Sequence, residues 1–307
     1  FEAGFLPTPY YFDGLRFFNA YEYGFRASSS NNYSTFLRCE FDTLSTGRAG
    51  GNSNQGYHFT VAQSIGNYLV FQDCSLHDYS GTAGIGSLYL QNKTLIEDCR
   101  LYNQIYSNTE ICTAIAAKSD IMNSTFRHNY VVIASGTALG AGVNGMFVNG
   151  FGNVSRNNEV CFNYFRQTSG SEANRLNNDG DQGALYFYRN TVVGTIMMKF
   201  INATGYTNGP FIFDHNVIIN SASGLSYHYT CGTNPQQYVT FTNNLTGTSS
   251  SNIVDTNGNL TSNYSSYVGT HGWQTVAGMT TPPPPPPPAD TTPPQAPSGV
   301  TTTIITN

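Results

Sequence analysis

Arg189, Asp214 and His215 are the residues whose types and placement best suit chemistry. Arg189 and His215 each stand one residue before an asparagine, Asn190 and Asn216, and Asp214 adjoins the histidine. If those asparagines hold one structural position on neighbouring repeats, the three side chains share an exposed wall. An arginine there can neutralise a sugar carboxylate while a histidine or aspartate removes a proton. Plain solvation accounts for outward polar residues equally well. A second set, Asp179 and Asp181 within Asn177-Asn178-Asp179-Gly180-Asp181-Gln182-Gly183, puts two carboxylates two residues apart between amides. Such a loop can converge on a hard cation, although it lacks the closing glutamate of an EF-hand. Asp73, Asp98 and Glu97 form a third group, which would be a solvated acidic patch or would share a cation. None of these sets requires a cofactor, and Ca2+ is the ion they admit.

What positions these residues is a repeat. Leu69-Val70-Phe71-Gln72-Asp73-Cys74-Ser75-Leu76 returns as Thr94-Leu95-Ile96-Glu97-Asp98-Cys99-Arg100-Leu101, 25 residues on. Aligning the chain on that phrase gives a column of Cys39, Cys74, Cys99, Ser124, Asn158, Asn190, Asn216 and Asn244, at spacings of 25 to 35 residues. Short alternating runs rich in Val, Ile, Thr, Tyr and Phe lie between the turns and read as strands. A period of this length built from strands is that of a coil wound on itself, each position stacked on its neighbour at about 4.8 Å. Asparagine tolerates the left-handed backbone of a tight turn, and its amide can bond the copies above and below.

On these residues, from about Phe36 to Gly247, the sequence resembles the right-handed parallel β-helix proteins, the architecture of pectate lyases, polygalacturonases and many phage tailspikes, with their asparagine ladder. The resemblance implies an all-β fold: a right-handed parallel β-helix (solenoid) of about eight or more coils. Cysteine replaces asparagine in the first three places of the column. The catalytic sets of polygalacturonases (Asn-Thr-Asp, Asp-Asp, Gly-His-Gly, Arg-Ile-Lys) and of alginate epimerases (Asp-Pro-His-Glu) are absent.

Composition narrows the classes. Only 10% of the 307 residues are charged, while 21 are Tyr and 20 are Phe. A net charge of −5, with 13 basic residues scattered singly, lacks the basic footprint that nucleic acid or an anionic membrane surface requires. No apolar run is long enough for a membrane-spanning helix, so no membrane insertion is expected. The chain opens at Phe1 without a leader, as a processed protein or a fragment would. Six cysteines without CxxC spacing exclude the common zinc, thioredoxin and haem motifs and fit an extracellular setting. Cys39, Cys74 and Cys99 on consecutive coils lie within disulfide range by distance, yet side chains in register rarely reach the torsion, and stacked thiols are the favoured reading. Cys112, Cys161 and Cys231 lie off the column and can pair among themselves.

The expected organisation is an aromatic N-terminal cap or irregular first coil over residues 1–30, the β-helix over 31–280, a Pro-rich linker over 281–298 and an orphan strand over 299–307. Pro282 to Pro288 is a stiff polyproline spacer. The segment after it, Asp290 to Val300, resembles linkers that open fibronectin type III modules in secreted bacterial proteins, but no module follows. Trp273 is expected to pack on the last coil. Asn32, Asn92, Asn123, Asn153, Asn202, Asn244, Asn259 and Asn263 begin Asn-X-Ser/Thr sequons; Asn244 falls in the ladder, and Asn259 and Asn263 are the best acceptors if the host glycosylates. The favoured function is an extracellular structural or surface protein that joins copies of itself through the strand containing Val300, Ile304 and Ile305. The alternatives are a secreted polysaccharide lyase or glycoside hydrolase, and an adhesin that binds glycan without turnover.

Overall fold

The structure is a computed structural model that describes residues 2–3, 10–19, 25–27, 34–42, 60–63, 66–67, 69–78, 83–87, 91–102, 113–117, 121–133, 155–167, 174–179, 183–194, 196–201, 209–219, 224–229, 235–247, 253–255 and 259–273. The chain forms two compact units, Phe1–Gln274 and Thr275–Asn307. The expected linker and orphan strand, with Val300, Ile304 and Ile305, lie outside the described residues.

Every pair of named strands is parallel, and the chain is an all-β solenoid. Two long faces carry nine strands each. The front sheet runs Tyr11–Asp13, Thr35–Leu37, Val70–Gln72, Leu95–Glu97, Thr125–Arg127, Asn158–Cys161, Leu185–Tyr188, Phe211–Asp214 and Val239–Thr242. The side sheet runs Arg16–Phe18, Glu40–Asp42, Ser75–His77, Arg100–Tyr102, Tyr130–Ile133, Tyr164–Gln167, Thr191–Val193, Val217–Ile219 and Leu245–Gly247. A back sheet is described in two blocks, of five and three strands, and a short corner sheet in four turns. About four turns make up the regular solenoid, fewer than the eight or more expected, although each long face counts nine strands. Residues 11–18, expected to cap the coil or to form an irregular one, supply the first strand of both long sheets in register with the second.

The core explains the abundance of phenylalanine. Strand register stacks Phe12, Phe36, Phe71, Ile96, Phe126, Val160, Phe187, Phe213 and Phe241 into one inward column of the front sheet. Phe36 and Phe71 stack with ring centroids 4.6 Å apart, and Phe17 and Phe41 do the same at 4.7 Å in the side sheet. Burying each such ring contributes roughly 1.5–3 kcal/mol. Strands of three or four residues suffice because each is paired on both edges except at the two ends of the stack.

Between front and side strands the chain turns on one left-handed residue per rung: Arg38, Asp73, Asp98, His128, Phe162, Arg189, His215 and Asn243, with φ between 51° and 57°. The residue after each forms the ladder, which here is Cys39, Cys74, Cys99, Asn129, Asn163, Asn190 and Asn216, all buried, and the half-buried Asn244. Asn129 Nδ2 donates to Asn163 Oδ1 at 3.0 Å, and Asn163, Asn190 and Asn216 repeat this contact with the next asparagine. The same Oδ1 atoms accept the backbone N–H of the rung below. Ser124 and Asn158, assigned to this column from sequence, belong to a second ladder at the turn that enters the front sheet. There Thr94 N–H donates to Ser124 Oγ and Ser124 N–H to Asn158 Oδ1, each at 3.1 Å. The two turns flank a three-residue strand and share one signature, a left-handed residue followed by a small polar one, as in Asn123-Ser124 and His128-Asn129. Alignment by residue type therefore slipped from one turn to the other.

The outer face of the side sheet changes character along the stack. Arg16, Glu40, Asp42, His77 and Tyr102 line its first rungs, whereas Val217 and Ile219 near the far end are fully buried. Residues 253–255 and 259–273 form a strap that covers that apolar end: Ile253 and Val254 form a cluster with Val217 and Ile219. The described strap reaches Trp273, whose backbone N–H donates to Thr191 Oγ1 at 2.8 Å and whose ring meets Tyr130 and Tyr164. Trp273 thus packs on the fifth and sixth rungs of the outer face rather than on the last coil. Gly272 before it has φ 68°, and a Cβ there would sit 2.7 Å from Val217 Cγ2. No helix among the described residues is long and apolar enough to cross a membrane.

Candidate functional site

The front-to-side turns place Arg189 and His215 on adjacent rungs, where the left-handed backbone turns each side chain away from the buried ladder residue that follows it. Arg189 N–H donates to the Asp214 carbonyl at 3.0 Å, which ties the two turns together. His215 Nδ1 lies 2.7 Å from Asp214 Oδ2. Asp214 Oδ1 accepts from Asn243 Nδ2 at 3.0 Å and Thr242 Oγ1 at 3.2 Å. Burial alone would raise the Asp214 pKa, but the hydrogen bonds from His215 and Asn243 outweigh it and hold the carboxyl below its usual range. An ionised aspartate bound to Nδ1 fixes the histidine ring and leaves Nε2 as the basic atom. The Arg189 guanidinium lies over the Phe162 ring, 5.5 Å from its centroid.

His271 completes this wall and was not found from sequence. The strap brings its ring to 4.7 Å from His215, with Tyr267 edge-on at 4.8 Å and Thr270 Oγ1 2.9 Å from Nδ1. Burial lowers its pKa and outweighs the backbone hydrogen bond at Asn243, which acts the other way, while the Arg189 charge also lowers it. Register along the coil does not reach His271, because it lies beyond the last repeat. The site thus holds a fixed aspartate–histidine pair, a second histidine biased towards its neutral form and a guanidinium on an aromatic face. It can hold a carboxylate-bearing ligand and exchange a proton with it.

The other expected sites fare differently. Asp179 ends the back-sheet strand Asn174–Asp179, where it pairs with Ile201, so residues 174–179 are strand rather than loop. Asp181 lies outside the described residues. The acidic patch is offset by basic neighbours: Arg127 Nε lies 2.6 Å from Glu97 Oε1, and His128 Nδ1 lies 3.6 Å from Asp98 Oδ1. Burial and the Glu97 charge raise the Asp98 pKa. Cys39, Cys74, Cys99 and Cys161 are buried free thiols. The Cys74 thiol donates to the Phe36 carbonyl of the rung below, the kind of acceptor used by the asparagine amides. Hydrogen bonding from Cys39 would lower the Cys74 pKa, but the Cys99 thiol and burial outweigh it and raise it, while burial pushes Cys161 up to about 11. Cys112 and Cys231 lie outside the described residues, as do Asn32, Asn153 and Asn202. Asn92 lies in the corner strand Gln91–Asn92. Asn259 is held by Asp255, whose Oδ1 accepts its N–H at 2.9 Å. Asn263 is exposed on a 3-10 turn, Ser262–Tyr267.

A further cluster, Asp42, His77 and Asp78, brings its carboxylate and imidazole atoms within 4.8 Å of one another. In class, fold and site together define a parallel β-solenoid with an aspartate–histidine wall. No protein-family model, curated protein or solved structure matches the chain.

Proposed function

We propose that the protein is an extracellular structural or surface β-solenoid that assembles with copies of itself. One observation carries this reading: the first rung ends both long sheets among the described residues and exposes apolar side chains there. Tyr11 is 64% exposed, Phe18 48% and Leu15 46%. The end strand of such a sheet is a template for another strand. Val300 to Ile305, β-branched in composition, would add there as a strand, with the run of prolines before it as spacer, as in donor-strand addition. A solenoid of the pectate-lyase type and a linker like those before fibronectin type III modules belong to the same proposal, as does glycan attachment at Asn263. Deleting residues 282–307 is expected to abolish filaments seen by electron microscopy and to leave monomers on size exclusion. Unchanged assembly would refute the reading.

A second reading rests on the 2.7 Å contact between Asp214 and His215 beside Arg189. In it the wall takes an acidic polysaccharide, as a lyase, as a hydrolase, or as an adhesin without turnover. Release of unsaturated or reducing sugar from pectin or alginate, lost in His215→Gln, would support catalysis. Binding without release would support the adhesin.

A further inference from the structure

At the polar end of the side sheet, remote in chain and rung from the wall just described, one imidazole is held by three carboxylates. Asp42 and His77 are register partners on the second and third rungs, and Asp78 follows in a left-handed turn with φ 53°. His77 is 8% exposed, and its ring stacks on Tyr102 at 4.9 Å with 5° between planes. Its Nε2 lies 3.0 Å from Glu40 Oε1. Its Nδ1 lies 2.7 Å from Asp78 Oδ2 and 3.6 Å from Asp42 Oδ1. Arg16 binds the opposite oxygens, Asp42 Oδ2 and Glu40 Oε2, which leaves Asp42 Oδ1 and Glu40 Oε1 turned towards the imidazole.

A neutral imidazole has one N–H and one lone pair. With the N–H donated to Glu40 from Nε2, Nδ1 faces Asp78 Oδ2 at hydrogen-bond distance with Asp42 Oδ1 beside it, and these three atoms converge on one point that a proton or a metal cation can occupy. A carboxylate that takes the distal N–H and so aims the other nitrogen is the usual support of a metal-bound histidine. We propose that Asp42 Oδ1, His77 Nδ1 and Asp78 Oδ2 bind a first-row divalent cation such as Zn2+, with Glu40 as the positioning residue. One nitrogen and two oxygens at metal distances of about 2.0–2.2 Å suit Zn2+, whereas Ca2+ takes six to eight oxygens. Atoms within 4.8 Å of one another can meet those distances with small movements. Bound there, the ion ties the second rung to the third.

The test is calorimetric titration of the chelator-treated full chain with ZnCl2. One ion per chain is expected, with binding lost in His77→Gln and in Asp78→Asn, and weakened roughly ten- to a hundredfold in Glu40→Gln. Asp78 lies at the mouth of the cluster, so its variant should retain the fold, as circular dichroism would show. Co2+ in place of Zn2+ should give d–d bands without thiolate charge transfer, which separates this site from the cysteine column. Zn2+ affinity unchanged in Asp78→Asn, a thiolate band, or no saturable binding would overturn the proposal.

Discussion

Asn190 shows how much one ladder residue carries. Its Nδ2 reaches the carbonyls of Val160 and Tyr188 and the Oδ1 of Asn216, while its own Oδ1 accepts both N–H and Nδ2 of Asn163. All of this is shielded from water, with Asn190 and Asn163 fully buried. Replacing Asn190 with alanine would strand the Asn163 N–H, costing about 1–3 kcal/mol, and remove the added bond to the Val160 carbonyl, worth about 0.5–1.5 kcal/mol more. A loss of about 3 kcal/mol or more is expected in urea unfolding, whereas the exposed left-handed residue Asn157 should tolerate exchange for glycine within about 0.5 kcal/mol. The cysteines do less in the same column. A thiol is a weak donor and a weak acceptor, so the first rungs lean on stacked phenylalanines where later ones lean on amides.

The element that the repeat does not explain is the strap formed by residues 253–255 and 259–273. It exists because the outer positions of the last side-sheet strands are apolar, so that all three residues of Val217–Ile219 are buried. It also carries His271 to the Asp214–His215 wall, and this gives the strap a pH dependence. Burial lowers the folded pKa of His271 below its ordinary 6.5. The unfolded chain therefore takes up the proton first as pH falls. The contribution to stability is complete above pH 6.5 and declines as pH drops towards the folded value. Asp214, also lowered, acts in the same direction but in the acid range of carboxylates. Melting temperature should fall between pH 7.5 and pH 5 in the native chain, and His271→Asn should flatten that slope. An equal slope in both would show that His271 is not shielded by the strap.

At the largest scale, within the unit Phe1–Gln274 the column of stacked rings runs between two ends of the long sheets that differ in their surface. The first rung exposes Tyr11, Leu15 and Phe18, and the last side-sheet strand, Leu245–Gly247, is only half-buried along its length. Association at the first rung should therefore depend on apolar area more than on salt. Exchanging Tyr11 and Phe18 together for lysine is expected to reduce assembly as strongly as removing residues 282–307, measured by light scattering across concentration. Both positions project from an edge rung into solvent, so the fold itself should survive the change.

The architecture was legible in the chain because a solenoid is periodic: one phrase, Phe71-Gln72-Asp73-Cys74 against Ile96-Glu97-Asp98-Cys99, discloses parallel register before any contact is known. The ladder from Asn190 to Asn244 followed from the same period. The stretch at Ser124 and Asn158 did not, because two turns five residues apart use the same local chemistry and only hydrogen bonding tells them apart. The adjacency of Asp214, His215 and Arg189 could be anticipated from their shared turn. The meeting of His271 with His215, of Trp273 with Tyr164, and of Glu40 with His77 was decided by tertiary structure alone. Periodicity fixes what lies above what, whereas these contacts join side chains across a sheet face or from outside the repeat, where spacing along the chain carries no information.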